Sequence, residues 1–233
     1  GGAGLVMKPT FSPAAAPRKP VIASTVATAA ALAARHAGAA PAAVEAATNM
    51  DNRPVGVEHY ENFPVASWLC PRRLRAPIEA IYHFARTADD IADEGDAPAA
   101  ERLALLDAYR AELQRALQGQ APADARWPGV FARLQRAIAS HRLPAAPLHA
   151  LLDAFTQDVA NPTYADRAAL LGYCARSASP VGRLLLHLYG IDDEQALQRS
   201  DAVCSALQLA NFWQDLGIDA GRGRHYVPLA DLH

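Results

Sequence analysis

The sequence predicts an all-α protein, and two observations carry that prediction. Apolar residues recur every three or four positions over long stretches, while sustained alternation of β-branched residues occurs nowhere. Pro and Gly fall mainly between the periodic segments, where helices are expected to end. The chain has 233 residues, of which 51% are hydrophobic, so it can fill one sizeable core.

The helices can be placed in order along the chain from their periodic faces and end signals. The first long helix is predicted as an uninterrupted segment over 72–94, with Gly95 as the left-handed stop beyond its end. Further helices are predicted from Pro98, over 129–142, over 145–160, from the cap at Asp166 through Pro180-Val181-Gly182, and over 193–219 before Gly221 and Gly223.

The two ends of the chain differ in composition. Residues 1–54 are rich in Ala and Pro and develop no periodic face, which predicts a disordered extension. Residues 55–233 are predicted to form one helical domain.

The charge balance and the cysteines narrow the class of protein. Lys and Arg number 22 against 24 Asp and Glu, so no basic excess points to nucleic acid. The three cysteines are scattered, which favours reduced thiols and a cytoplasmic location.

Polar side chains gather on one stripe at the end of the first long helix. At about 100° per residue, the stripe contains Tyr82, Arg86, Asp89 and Asp93. Asp89 and Asp93 are like charges four residues apart, near the negative end of the helix dipole. Such an arrangement is unfavourable unless a cation binds there, and Mg²⁺ is the simplest candidate. Asp90 and Glu94 lie off the stripe.

The late helix repeats this pattern. Its stripe contains Gln208, Asn211, Asp215 and Asp219. Two such helices facing each other could bind several Mg²⁺ ions through Asp89, Asp93, Asn211, Asp215 and Asp219 and leave coordination positions for phosphate oxygens. The alternative is that both stripes are solvated helix faces.

Two arginines near the stripes allow two interpretations each. Arg86 can pair with Asp89 or Asp90, or it can bind a phosphate as a planar fork. Arg224 lies in the cationic segment Arg222-Gly223-Arg224-His225-Tyr226, which can bind phosphate or form an ordinary surface loop. Other chemistries fit less well, because the sequence has no Glu-x-x-His pair, zinc-like His spacing, Walker loop or GxSxG motif, and the calcium-loop pattern at Asp90–Glu101 is incomplete.

These residues resemble the squalene/phytoene synthase family of head-to-head prenyl synthases. Asp89-Asp90-Ile91-Ala92-Asp93, preceded by Tyr82 and Arg86, resembles the first aspartate motif of the family. Asn211-x-x-x-Asp215-x-x-x-Asp219, with Gln208 one turn earlier, is similar to the second. Tyr173-Cys174 and Val181-Gly182 resemble a helix that lines the prenyl channel, and Arg224-x-Tyr226-x-Pro228 resembles the loop after the second motif.

The resemblance implies an isoprenoid-synthase-type helical bundle around a central apolar channel, with further helices beyond residue 233. It implies catalytic roles for the residues of the two aspartate motifs, including Tyr82 and Arg86. It also implies a substrate-binding set made of Tyr173, Val181, Gly182, Gln208, Phe212, Arg224 and Tyr226.

Within the family, two segments resemble bacterial hopanoid-pathway members that make hydroxysqualene, namely Asn62-Phe63-Pro64-Val65-Ala66-Ser67 and Phe84-Ala85-Arg86-Thr87-Ala88-Asp89. The implied reaction is Mg²⁺-dependent ionisation of presqualene diphosphate, a prenyl diphosphate, followed by water capture of the rearranged carbocation. NADPH is not expected, because no nicotinamide motif is visible. Alternatives are a condensing synthase that joins two prenyl diphosphates and an inactive helical partner subunit. The apolar product suggests peripheral membrane contact and partner enzymes of the same pathway.

Overall fold

The computed structural model describes residues 70–93, 97–160, 162–221 and 224–232, and these ranges contain helices and no strand. The all-α prediction is therefore confirmed for the described part of the chain. The elements are α1 (Arg72–Asp93), α2 (Ala99–Leu117), α3 (Pro128–His141), α4 (Ala145–Asp158), α5 (Arg167–Ser177), α6 (Ser179–Leu188), α7 (Glu194–Gln214), α8 (Leu216–Gly221) and a 3₁₀ turn at Leu229–Asp231. The predicted extension over 1–54, the helix end at Glu94 and Gly95, and Arg222 and Gly223 lie outside the described residues.

Helix α1 lies at the centre of the main core. Its buried face follows a helical period of three and four residues, through Leu74, Ile78, Ile81, Ala85, Ala88 and Ala92. Pro77 lies inside the helix and removes one backbone N–H, yet the helix continues to Asp93. Each polar residue of the stripe from Tyr82 to Asp93 directly follows one of these core residues. The packing of the core therefore orients the stripe about 100° away from the buried face.

An aromatic group fixes α1 against α2 and α3. The rings of Phe84 and Tyr109 stack with 5.4 Å between centroids, and the Phe131 ring lies 4.6 Å from that of Tyr109. The Tyr109 hydroxyl donates a hydrogen bond of 3.0 Å to the carbonyl oxygen of Phe84. A buried phenol needs such a partner, and here the partner lies in the helix that carries the first acidic stripe.

Two predicted helices are each divided in the structure. The helix expected to run from Asp166 through Gly182 breaks at Ala178, where φ is −117° and ψ is −48°. Pro180 favours this break, because proline has no N–H to donate and fits best in the first turn of a new helix, where Pro180 lies in α6. The helix expected over 193–219 ends at Gln214, and α8 begins after a bend at Asp215.

Helices α6 and α7 approach each other closely at Gly182. A Cβ added to this glycine would lie 2.3 Å from Ser200 Oγ and 2.7 Å from Cys204 Sγ. Such distances are far below van der Waals contact, so the two helices can pack this closely only because residue 182 has no side chain. Cys204 belongs to the main core, as does Val181.

The N-termini of α5 and α7 have side-chain caps. Asp166 Oδ1 accepts a 2.8 Å hydrogen bond from the N–H of Ala169, as the sequence predicted, and Asp193 Oδ2 accepts one of 2.8 Å from the N–H of Ala196.

Changing either cap to Ala should lower the free energy of unfolding by about 1 kcal/mol, because one backbone donor loses its partner. Asp166→Asn and Asp193→Asn keep an acceptor oxygen and should lose only a few tenths of a kcal/mol. Urea unfolding followed by circular dichroism measures the difference. Equal losses for the Ala and Asn variants would contradict a capping role.

The three cysteines lie in the protein interior. Cys70, Cys174 and Cys204 are free thiols and all are buried. Burial raises the pKa of Cys174 and of Cys204 to about 11. Among the described helices, none combines the length and the apolar character that crossing a membrane requires.

Candidate active site

The stripe on α1 lies at the edge of the main core, and its side chains are partly exposed to solvent. Arg86 Nη2 lies 2.7 Å from Asp90 Oδ1, and Arg86 Nη1 lies 3.7 Å from Asp89 Oδ2. Of the two interpretations of Arg86, the structure contains the ion pair, chiefly with Asp90. The Asp89 side chain is only 19% exposed, whereas that of Asp90 is 38% exposed. This difference agrees with the predicted position of Asp90 off the stripe.

Tyr82 occupies the start of this stripe and is half-buried against the main core. Burial raises the pKa of its phenol, with a smaller lowering effect from Arg86. The phenol is therefore protonated at neutral pH and keeps its capacity to donate a hydrogen bond.

The second stripe keeps its alignment through the bend at Asp215. The N–H of Asp215 donates to the Asn211 carbonyl oxygen at 3.0 Å, and the N–H of Asp219 donates to the Asp215 carbonyl oxygen at 2.8 Å. Both bonds join residues four apart, so Asn211, Asp215 and Asp219 still follow one another on one face. The side chains of Gln208, Asp215 and Asp219 are buried, and Asp219 is only 1% exposed.

The two stripes meet at Arg224. Its Nη1 lies 2.6 Å from Asp93 Oδ2 and its Nη2 lies 2.6 Å from Asp93 Oδ1, which makes a bidentate ion pair. Both side chains are shielded, with 7% of Arg224 and 9% of Asp93 exposed. The backbone N–H of Arg224 also donates to the carbonyl oxygen of Asp219 at 2.9 Å. One residue thus joins the end of α1 to the end of the second acidic stripe.

A further arginine holds the end of α1, and the sequence patterns did not identify it. Arg102 Nη1, from α2, donates a 2.9 Å hydrogen bond to the carbonyl oxygen of Ala92. A cation at this position satisfies a terminal carbonyl group and offsets the negative end of the helix dipole next to Asp93. The available signal was weak, because Arg102 is one of many charged residues on an amphipathic helix.

Four aromatic rings form a second core beside the stripes. They come from four separate segments and are Tyr164, Tyr173, Phe212 and Tyr226. The rings of Phe212 and Tyr226 stack at 3.8 Å between centroids with 4° between their planes, and the Tyr173 ring lies 6.0 Å from that of Phe212. Phe212 directly follows Asn211, and Tyr226 lies two residues after Arg224. The rings therefore adjoin the polar groups that link the stripes.

One buried carboxylate contacts this aromatic group, and the sequence patterns did not identify it either. Asp158, the last residue of α4, accepts a 2.7 Å hydrogen bond from the Tyr173 hydroxyl through Oδ2. Burial, followed by the charge of Asp158, raises the pKa of the Tyr173 phenol well above its ordinary value. The only sequence signal was that Asp158 follows the apolar face of α4 to the end of the helix, where a hydrophobic residue is expected.

The structure brings some predicted site residues together and places others elsewhere. Hydrogen bonds link Asp93, Arg224 and Asp219 to one another, and a ring contact links Phe212 to Tyr226. Val181 lies in the main core and Gly182 at the α6–α7 contact, so the structure accounts for both as packing positions; their substrate-binding role stays a prediction.

The predicted metal ligands suit Mg²⁺ by donor chemistry. All are carboxylate or amide oxygens, which hard divalent ions prefer. Within the described ranges, no three Asp, Glu, His or Cys side chains are grouped closely enough to hold one ion. Both oxygens of Asp93 are paired with the Arg224 guanidinium, so a metal ion at Asp93 would compete with Arg224 for these oxygens.

Comparisons with known proteins point to one family. Residues 57–233 match the family model described as squalene/phytoene synthase. The hydroxysqualene synthase of Rhodopseudomonas palustris is 42% identical over 171 residues, which cover 72% of this chain and 55% of that protein. The hydroxysqualene synthase of Zymomonas mobilis is 39% identical, with 72% and 54% covered.

Two further comparisons extend this result. The presqualene diphosphate synthase of Rhodopseudomonas palustris is 35% identical over 179 residues, which cover 76% of this chain and 62% of that protein. The crystal structure of squalene synthase HpnC from Alicyclobacillus acidocaldarius has a TM-score of 0.66 and 44% identity, with 75% of this chain and 63% of that chain covered. The chain thus spans between about half and two thirds of the length of these relatives.

Proposed function

The chain belongs to the squalene/phytoene synthase family, and from this premise we propose that it converts presqualene diphosphate to hydroxysqualene and diphosphate. The contact that best supports this proposal is the bidentate pair between Arg224 and Asp93, together with the backbone bond from Arg224 to Asp219. It joins the two acidic motifs to a guanidinium, which is the side chain best suited to bind a diphosphate.

The acidic residues would hold the metal that the reaction requires. Asp89, Asp93, Asn211, Asp215 and Asp219 supply oxygen donors, and bound Mg²⁺ neutralises the charge of a leaving diphosphate. Arg224 and Arg86 would contact phosphate oxygens with their planar forks and stabilise the negative charge that develops as the C–O bond breaks.

The aromatic residues would act on the hydrocarbon part of the substrate. The faces of Tyr173, Phe212 and Tyr226 carry negative quadrupole charge, which attracts a carbocation. Their position next to the acidic stripes suits a cation that forms within a few bonds of the departing diphosphate. Water would then add to the rearranged cation, and the water molecule would lose one proton to give the alcohol.

The hydroxysqualene synthases among the matching relatives favour water capture over the other outcomes. Hydroxysqualene synthases match this chain at 42% and 39% identity. A condensing activity is the second candidate, because a presqualene diphosphate synthase also matches, at 35%.

Presqualene diphosphate incubated with the protein should yield hydroxysqualene only when Mg²⁺ is present, with an unchanged yield when NADPH is added. Mass spectrometry of the organic extract identifies the product, and a phosphate assay measures diphosphate release. EDTA should abolish both signals, and an excess of Mg²⁺ should restore them.

Four other results would each contradict a different part of the proposal. Full activity in EDTA would exclude a metal requirement, and squalene formed with NADPH would indicate hydride capture. Presqualene diphosphate formed from farnesyl diphosphate alone would indicate the condensing reaction. No turnover, combined with no stabilisation against thermal unfolding by Mg²⁺ and diphosphate, would indicate an inactive helical subunit.

A further inference from the structure

Asp158 is the one carboxylate that contacts the aromatic group of Tyr164, Tyr173, Phe212 and Tyr226 through a described hydrogen bond. Its side chain is buried, with 6% of the residue exposed, and its Oδ2 accepts the hydroxyl hydrogen of Tyr173 at 2.7 Å. Burying a charged group is costly, and a stable protein usually places an apolar residue at the buried end of a helix. A role beyond packing would account for the acidic residue.

Ring contacts, together with adjacency in the chain, connect Asp158 to the acidic stripes. The Tyr173 ring lies 6.0 Å from the Phe212 ring and 6.2 Å from the Tyr226 ring. Tyr226 follows Arg224, which binds Asp93, and Phe212 follows Asn211. Asp158 therefore contacts the aromatic group at the Tyr173 hydroxyl, and the rings of Phe212 and Tyr226 connect Tyr173 to the segments that carry Asn211 and Arg224.

We infer that Asp158 is a positioning residue that orients Tyr173 and increases the electron density of its ring for binding the carbocation. This inference rests on the proposed function. A phenol that donates its proton to a carboxylate carries more negative charge on its oxygen and ring than one that donates to water. The ring face then attracts a cation more strongly.

The indirect arrangement also has a chemical advantage. A carboxylate in direct contact with a carbocation can form a covalent ester with it, whereas a carboxylate bonded to a phenol hydroxyl can act through the ring without contacting the reacting carbon. The raised pKa of the Tyr173 phenol is consistent with this arrangement, because the phenol keeps its proton at neutral pH and continues to donate to Asp158.

The inference is tested by comparing the binding of a charged and an uncharged ligand. The charged ligand is a prenyl tertiary ammonium, and the uncharged one has carbon in place of the ammonium nitrogen. Both are dispersed in the same detergent and titrated, with inorganic diphosphate and Mg²⁺ present, into the unaltered protein and into Asp158→Asn. The ratio of the two affinities measures how strongly the site prefers a positive charge.

Asp158→Asn is expected to weaken binding of the ammonium ligand by about three- to tenfold and to change binding of the neutral ligand by less than twofold. Tyr173→Phe keeps the ring and removes the hydrogen bond, so it should reduce the ratio similarly. Adding Asp158→Asn to Tyr173→Phe should change the ratio by less than the same substitution does alone. Asp153→Asn is the matched control: this exposed carboxylate lies on the same helix and pairs with Arg110 at 2.8 Å, and its removal should leave the ratio unchanged.

Equal weakening of both ligands in Asp158→Asn would overturn the inference, because it would show a purely structural role. A ratio of one in the unaltered protein would also overturn it. If Asp158→Asn does not fold, Tyr173→Phe alone decides between these outcomes. The titrations involve no turnover, so an Asp158-dependent preference for the ammonium ligand would support the inference even if the product proves not to be hydroxysqualene.

Discussion

Asp93→Asn is expected to reduce turnover of presqualene diphosphate by about a thousandfold and to lower the free energy of unfolding by about 3 kcal/mol. The activity falls because the proposed metal site loses a charged ligand. The stability falls because the Arg224 guanidinium, only 7% exposed, remains buried opposite a neutral amide with a single acceptor oxygen. Product formation and urea unfolding measure the two effects separately.

A double substitution separates the structural effect from the chemical one. Asp93→Asn combined with Arg224→Met removes both charges, so much of the lost stability should return while activity stays low. Asp201→Asn is the control, since Asp201 forms an equally short pair with Arg183 at 2.6 Å, but 47% of the Arg183 side chain is exposed. Its removal should cost no more than about 1 kcal/mol. Equal losses from Asp93→Asn and Asp201→Asn would contradict the importance of burial for the pair between Asp93 and Arg224.

Gly182→Leu is expected to prevent stable folding, and Gly182→Ala should lower the free energy of unfolding by about 3 kcal/mol. Even the single methyl group of alanine would lie 2.3 Å from Ser200 Oγ and 2.7 Å from Cys204 Sγ. To relieve this overlap, α6 must move away from α7. Such a movement would loosen the packing of Val181 and its neighbours in the main core. Thermal unfolding of the alanine variant measures the effect.

Gly172→Ala is the matched control for this prediction. Gly172 lies in helix α5, and a Cβ there would meet no atom within 4 Å, so alanine should stabilise the helix by about 0.5–1 kcal/mol. Ser200→Gly and Cys204→Ala remove the two clashing atoms and should restore part of the stability of Gly182→Ala. A Gly182→Ala variant as stable as the unaltered protein would show that the helices can separate at no cost.

Much of the fold could be predicted from local patterns. Helix α1 has an apolar period of three and four residues, and the cap at Asp166 follows from its side chain alone. A break at Ala178 was also indicated by Pro180, which favours the first turn of a new helix, although α1 continues through Pro77. The bend at Asp215 was not, since no Pro or Gly precedes it and the hydrogen bonds on both sides keep helical spacing.

The candidate site was predictable only where its residues share one helix. Spacing placed Asp89 and Asp93 on one face, but no pattern could pair Asp93 with Arg224, which is 131 residues away. The contact of Asp158 with Tyr173 likewise depends on how α4 packs against α5. Such contacts arise from tertiary packing, which a periodic pattern in a single segment does not determine.

The ion pair between Arg224 and Asp93 has a consequence for the order and strength of ligand binding. A cation that takes the Asp93 oxygens from the guanidinium leaves Arg224 without this partner and available to a diphosphate. A diphosphate that engages Arg224 leaves the Asp93 carboxylate available to a cation. Each ligand thus removes part of the cost of binding the other, and by thermodynamic reciprocity the two binding free energies are coupled by the same amount in both directions. The enzyme would therefore hold metal and diphosphate weakly when each is alone and tightly when both are present.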